Sequence, residues 1–226
     1  RANFFYQRKG MGAVFRVIPT QIQSVEELGL PPQILKLADY KKGLVLVTGP
    51  TGSGKSTTLA SIVDVANRNR KDHIITVEDP IEFVHQSQGC IVNHREVGIH
   101  TRSFASALRG ALREDPDVIM LGELREPETM RLALTAAETG HIVLGTLNST
   151  SAGKAVDRLI ASFPADEQGQ VRTSLSESLK YVIAQKLLPA REKRKQVALF
   201  EVLKNTLAVG NMIRQGKTFQ TPSAMQ

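Results

Sequence analysis

Apolar residues along this chain follow two periods, and the two alternate. The runs "GLVLVTG" (43–49), "HIITVED" (73–79), "DVIMLGE" (117–123) and "HIVLGTLN" (141–148) are apolar almost throughout. That is the pattern of strands buried on both faces. Between them, apolar residues recur three and four apart over 54–69, 101–115 and 127–140, which predicts amphipathic helices. Punctuation agrees. Pro116 stops the second helix, Pro127 stands near the first turn of the third, and Gly140 follows its end. Further on, the pattern predicts helices over 151–163 and 166–179, strands over 181–188 and 196–203, and a last helix over 206–216. The basic stretch "AREKRKQ" (190–196) between those two strands is read as an exposed turn. Strands alternating with helices predict an α/β sheet with its ligand at the carboxyl ends of the strands.

The opening, "RANFFYQRKGMGAVFRVIP" (1–19), has the pattern of two short strands ended by Pro19. Two strands alone cannot bury a face, so this segment is expected to be the end of a domain that lies upstream. Residues 20–32 are expected to form a linker with one helical turn closed by Gly29. No internal repeat interrupts the pattern.

Composition narrows the picture. With 226 residues and 41% apolar content a real core is within reach, and an all-disordered chain is excluded. Aromatics are only 5%, with no Trp, so aliphatic side chains must fill the core. The single cysteine, Cys90, excludes an internal disulfide and a Cys-rich zinc site, and fits a reducing compartment. A net charge of +7 would suit nucleic acid, an anionic membrane face or an acidic partner. The basic residues are spread out, however, without the aromatic interleaving of a stacking platform. A stable nucleic-acid complex is therefore not expected.

Four stretches carry chemistry. Gly49-Pro50-Thr51-Gly52-Ser53-Gly54-Lys55-Ser56 matches G-x-x-x-x-G-K-[ST], between a predicted strand and a predicted helix. In such a loop the glycines let backbone N–H groups turn toward phosphates, with the helix N-terminus behind them. Lys55 supplies a cation to the β- and γ-phosphates, Ser56 a hydroxyl to Mg²⁺, and Thr57 continues the helix. The third apolar strand ends at Glu123, where P-loop enzymes place a carboxylate that polarises the Mg²⁺ shell, through water, or the attacking water itself. "TVEDPIEF" (76–83) offers Glu78, Asp79 and Glu82 at the end of the second strand, where they either orient water or form a solvated acidic loop. The fourth strand begins after His141 and delivers Thr146 and Asn148 to the same edge. Those two either sense a γ-phosphate or merely precede a helix cap at Ser149, Thr150 or Ser151. His73, His85, His94 and His100 lack metal-ligand spacing and are assigned structural or surface roles. Arg8, Arg16, Arg95, Arg102, Arg109, Arg113 and Arg125 crowd the same region, and an arginine entering from a neighbouring subunit can stabilise a transferring phosphoryl group.

Taken in order, "GPTGSGKSTTL", "ITVEDPIEFVH", "IVNHREVGIHT", "FASALRGALREDPDVIMLGELREPET", "LALTAAETGHIVLGTLNSTSA", "DRLIASFP" and "LSESLKYVIAQKLL" resemble the secretion ATPase superfamily, and most closely the PilT-type retraction motors of type IV pili. The resemblance runs over essentially the whole chain. It implies a RecA-like P-loop core, its mainly parallel sheet flanked by helices, over 33–226. It further implies the end of a PAS-like domain over 1–19, a hinge over 20–32, and family helices lying beyond the last residue. By resemblance, Lys55 and Ser56 hold ATP and Mg²⁺, Glu82 is the general base in an Asp box with Glu78 and Asp79, Glu123 is the Walker B carboxylate, and His141 opens the His box. A homohexamer is implied, working at the cytoplasmic face of the inner membrane on a pilus platform protein.

Three positions depart from the family pattern. Asn148 replaces the second His-box histidine and carries neither proton nor charge. Lys9 stands where relatives often have Arg, which loses bidentate geometry. "LAVGNMIRQGK" has Gly210 where Arg is usual in the C-terminal retraction motif. The competing readings are an extension, secretion or conjugation ATPase of the same superfamily, a nucleic-acid motor, and a nucleotide-binding regulator without turnover. The lack of a tetracysteine insertion favours the retraction branch over extension.

Overall fold

In a computed structural model, which describes residues 2–18, 21–190 and 196–225, one seven-stranded sheet organises the chain from residue 21 onward. Its strands are β3 (Gly43–Thr48), β4 (His73–Glu78), β5 (Ile91–Glu96), β6 (Val118–Leu121), β7 (Ile142–Leu147), β8 (Leu179–Pro189) and β9 (Gln196–Lys204), in the order β5-β4-β6-β7-β3-β8-β9. Every pairing is parallel except β8 with β9. β3 pairs with β7 on one side and β8 on the other, and all six of its residues are buried. A strand covered on both faces needs no alternation, which is why "GLVLVT" is apolar throughout.

Parity along the strands divides the core in two. Val45, Val47, Ile74, Met120, Leu144 and Ile183 face α1 (Lys55–Asn69) and the 3-10 helix Pro32–Asp39. Leu44, Leu46, Ile75, Ile119, Val143 and Val182 face five helices: α2 (Phe104–Ala111), α3 (Pro127–Glu138), α4 (Ala152–Ala161), α5 (Gln168–Ser178) and α6 (Leu207–Arg214). Each fully buried Leu or Ile contributes about 1.5–3 kcal/mol. Side chains at the caps start three of these helices: Ser103 accepts from Ser106 N, Ser151 from Lys154 N, and Thr206 from Val209 N. α5 and α6 approach closely at Gly210, where an added Cβ would lie 3.1 Å from the Ser176 carbonyl. A long side chain there would require the two helices to part.

Two differences from the sequence expectation stand out. β5 was not anticipated, because "IVNHRE" lacks an apolar run; it is an edge strand whose polar residues blunt the open edge. The second helix is shorter than 101–115, covering Phe104–Ala111 only. In the 20–32 stretch, Gly29 does close a turn, its N–H meeting Glu26 O at 3.0 Å with φ +63°. Val25 and Leu30 on either side of it are buried in the α1-side core. Pro19 and most of the basic 190–196 turn lie outside the described residues.

The hairpin of β1 (Ala2–Gln7) and β2 (Gly10–Phe15) forms a separate two-stranded sheet. Phe4, Tyr6, Met11 and Phe15 on it are exposed. Cys90 is buried at the foot of α1, its thiol donating to Ala66 O and accepting from the Asp72 N–H. No helix among the described residues is long and apolar enough to cross a membrane.

Candidate nucleotide-binding site

The carboxyl ends of β3, β4, β6 and β7 open into a cavity of about 630 Å³. That is an ordinary size for a small-molecule site. One wall is the loop leaving β3. Gly52 (φ +79°) and Gly54 (φ +87°) take conformations that only glycine adopts freely, and they turn the chain into α1. Gly54 is the N-cap of α1 and offers no side chain, so the first-turn N–H groups have no side-chain partner. Such a helix end attracts an anion. Lys55 Nζ donates to Gly49 O at 3.0 Å and Pro50 O at 3.1 Å, holding its charge over the loop. Thr51, Gly52, Gly54, Lys55, Ser56 and Thr57 line the cavity. Gly49 and Ser53 are buried, and a Cβ at Gly49 would lie 2.3 Å from Gln185 O.

The facing wall is acidic. Glu78 ends β4, its Oε2 accepting from the Glu82 N–H at 3.1 Å. Asp79 and Pro80 follow through a cis peptide bond. Glu123 stands just beyond β6. Its place is fixed by its neighbours: Gly122 N donates to Val77 O, Leu124 N donates to Thr146 O, and Thr146 Oγ1 donates to Gly122 O. Glu123 Oε1 accepts from Asn148 Nδ2 at 2.7 Å, and Glu123 Oε2 pairs with Arg125 at 2.6 Å. The two walls feel each other. Burial pulls the Lys55 ammonium below its ordinary value, while the charges of Glu123 and Glu82 pull it back up.

At the end of β7 the structure shows both a helix cap and a contact to the acidic wall. Ser151 caps α4, which leaves Asn148 to hold Glu123, while Arg158 donates to the Asn148 carbonyl. His141 is placed elsewhere. It precedes β7, at the amino end of the sheet, where its Nδ1 meets Ala136 O at 3.0 Å. A six-residue strand, about 20 Å, separates that end from the cavity.

The arginines scatter. Arg16 lines the cavity of its own chain. Arg95 pairs with Glu114 at 2.5 Å and Arg109 with Glu128, both outside the cavity. Arg8, Arg102 and Arg113 are exposed. Lys9 lies in the exposed β1–β2 turn, its N–H meeting Gln7 Oε1.

Sequence reasoning missed two contributors. Gln185, in the middle of β8 and buried, donates from Nε2 to Ser53 O and braces the glycine loop from behind. A lone amide inside the apolar run "YVIAQKLL" was the available signal. His85 is buried and also lines the cavity.

Comparison with known proteins agrees with this geometry. A model of the family described as "Type II/IV secretion system protein" matches residues 7–221. The chain is 54% identical over 226 residues to the "Type IV pilus retractation ATPase PilT" of Pseudomonas aeruginosa, covering all of this chain and 65% of that protein. It is also 54% identical to the "Twitching motility protein" of Neisseria gonorrhoeae, covering all of this chain and 60% of that one. Among solved structures, "Crystal Structure of the Pilus Retraction Motor PilT and Bound ADP" superposes with a TM-score of 0.95 at 51% identity, over all of this chain and 65% of that chain. The chain thus spans under two thirds of the length of the two relatives and of the solved structure described here.

Proposed function

The chain belongs to the type II/IV secretion system protein family, and from that membership and the cavity we propose that it is the ATP-hydrolysing core of a pilus-retraction motor. The observation that carries the proposal is the convergence in one cavity of a P-loop lysine with two carboxylates, Glu82 and Glu123, whose charges act on that lysine.

Each residue then has a task. The N–H groups of Gly52 to Thr57 and the α1 terminus receive the phosphates, and Lys55 turns from its own loop carbonyls to the β- and γ-oxygens. The donor set fits Mg²⁺ in kind: the Ser56 hydroxyl would hold it directly and Glu123 through water, supplying charge neutralisation on the phosphates. Glu82 takes a proton from water as the water oxygen bonds to the γ-phosphorus. The bond to the β–γ bridging oxygen breaks, leaving ADP and phosphate. Asn148 keeps Glu123 aimed by a neutral donor, so that orientation does not depend on a titrating ring.

The motor reading extends beyond the chain. We infer a homohexamer, with nucleotide between neighbouring subunits and exposed Arg8, Arg102 or Arg113 reaching across. The β1–β2 hairpin is read as the end of an upstream PAS-like domain, supported by its uncovered aromatic side chains, and 20–32 as the hinge. The ring works at the cytoplasmic face of the inner membrane against a pilus platform protein. The test is deletion in the native cell together with ATP hydrolysis by the full-length protein. Pili that assemble but no longer retract are expected. Loss of assembly would move the protein to the extension branch, and absence of Mg²⁺-dependent phosphate release would remove the motor.

A further inference from the structure

His85 and His94 take no step in the chemistry above, yet the fold stacks them against each other beside the acidic wall, His85 buried and His94 half-buried. β5 pairs with β4 so that His94 lies opposite Thr76. On its strand His94 shares a face with Val92, which packs in the α1-side core. One ring nitrogen of His94, Nδ1, is 2.8 Å from Thr76 Oγ1 and 3.9 Å from Glu78 Oε1. The other, Nε2, meets both the N–H and the carbonyl of His85, at 3.1 and 3.2 Å. The two imidazoles stack with centroids 5.8 Å apart and planes 15° from parallel. Glu78 Oε1 is buried with no hydrogen-bond partner, His94 Nδ1 facing it at ion-pair distance, while Glu78 Oε2 receives the Glu82 N–H.

Segment 78–85 carries the proposed base, and His94 touches both its ends: the Glu78 carboxylate at the start and the His85 backbone at the finish. We propose that His94 is a positioning residue for Glu82, an edge-strand clamp that pins both ends of the Asp-box segment and so sets the reach of the base toward the γ-phosphate. The proposal rests on the ATPase reading for its consequence, though not for its geometry.

The charged groups around His94 are Glu78 from β4 and His85 from the clamped segment, with Asp64 of α1 acting on His85. Burial pulls His94 down, but the Glu78 carboxylate facing it at 3.9 Å and the His85 backbone outweigh it and raise its pKa. The charged clamp is therefore complete below the ordinary imidazole value and is lost as pH rises through the raised one.

The test uses the full-length protein and its His94→Ala and His94→Gln variants, with steady-state ATP hydrolysis followed from mildly acidic to alkaline pH. His94→Ala should lower kcat about tenfold or more with KM for ATP unchanged, as a displaced base does. His94→Gln keeps an amide donor and acceptor, so it should recover most of kcat while erasing the alkaline fall that the wild type shows. Unchanged kcat in His94→Ala, a Gln variant as impaired as Ala, or an alkaline fall that persists in Gln would overturn the clamp. Hydrogen exchange of the 79–90 amides needs no turnover. If exchange in His94→Ala matches the wild type, the clamp is refuted whatever the kinetics. Faster exchange in a protein that hydrolyses no ATP would uphold the clamp and refute the enzyme it was meant to serve.

Discussion

The glycine wall of the cavity is one unbroken stretch, Gly49 to Thr57, shaped by its own backbone and the start of α1. The acidic wall is assembled from places far apart in the chain: Glu78 and Glu82 after β4, Glu123 after β6, and Asn148 after β7. The first wall is set by local conformation, with one distant brace in Gln185. The second holds its shape only if three strands keep their register, because Glu123 is located by hydrogen bonds of its neighbours, Gly122 to Val77 and Leu124 to Thr146. Binding should accordingly depend on the continuous wall, and turnover on the assembled one.

Several substitutions break or sharpen that contrast. The largest effect is expected from Glu82→Gln: removing a general base costs about 10²–10⁴-fold in kcat. Fluorescent-nucleotide titration should show ADP affinity intact in the same variant. Lys55→Met attacks the other wall. Loss of a charged hydrogen bond of about 1.5–3 kcal/mol should weaken nucleotide binding roughly ten- to a hundredfold, measured by the same titration. If Lys55→Met left affinity untouched while Glu82→Gln abolished it, the division of labour would be reversed.

A third test reads the scaffold behind the acidic wall. Burial, then the charge of His94, lowers His85 to about 4, against the opposing pull of Glu78 and Asp64. A histidine held neutral in the fold contributes stability that is complete above its ordinary value of 6.5 and drains away as pH falls toward about 4. The full loss is about 3 kcal/mol. Urea midpoints measured between neutral pH and pH 4.5 should fall steeply in the wild type and more gently in His85→Asn. The smallest effect is expected from Asn148→His. It exchanges one hydrogen-bond donor to Glu123 for another, so kcat at neutral pH should change only a few-fold, but the rate should acquire a new inflection near the imidazole pKa of about 6.5. A pH–rate profile without that inflection would detach position 148 from the reaction.

The same contrast explains what was legible beforehand. The P-loop, the four buried strands and their helices follow from local pattern, because burial on both faces leaves an apolar run and a glycine turn leaves a motif. The place of Glu123 was legible as the end of an apolar strand. The hydrogen bond from Asn148 to Glu123 was not, since its partners lie 25 residues apart on different strand ends. β5 escaped notice because an edge strand is allowed polar residues. With it escaped the stacking of His85 on His94, which depends on β5 lying beside β4. Gln185 was hidden for the opposite reason: its partner, Ser53, lies 132 residues away in the chain.

The thiol at the foot of α1 gives this chain a built-in reporter. Cys90 lies five residues beyond the clamped segment and donates its N–H to the Asn67 carbonyl, and its thiol is buried with its pKa raised by that burial. A thiol reagent can modify it only when that corner opens, so the alkylation rate measures the opening equilibrium directly. Slower labelling with nucleotide present would mean that filling the cavity tightens a corner on the far side of the acidic wall.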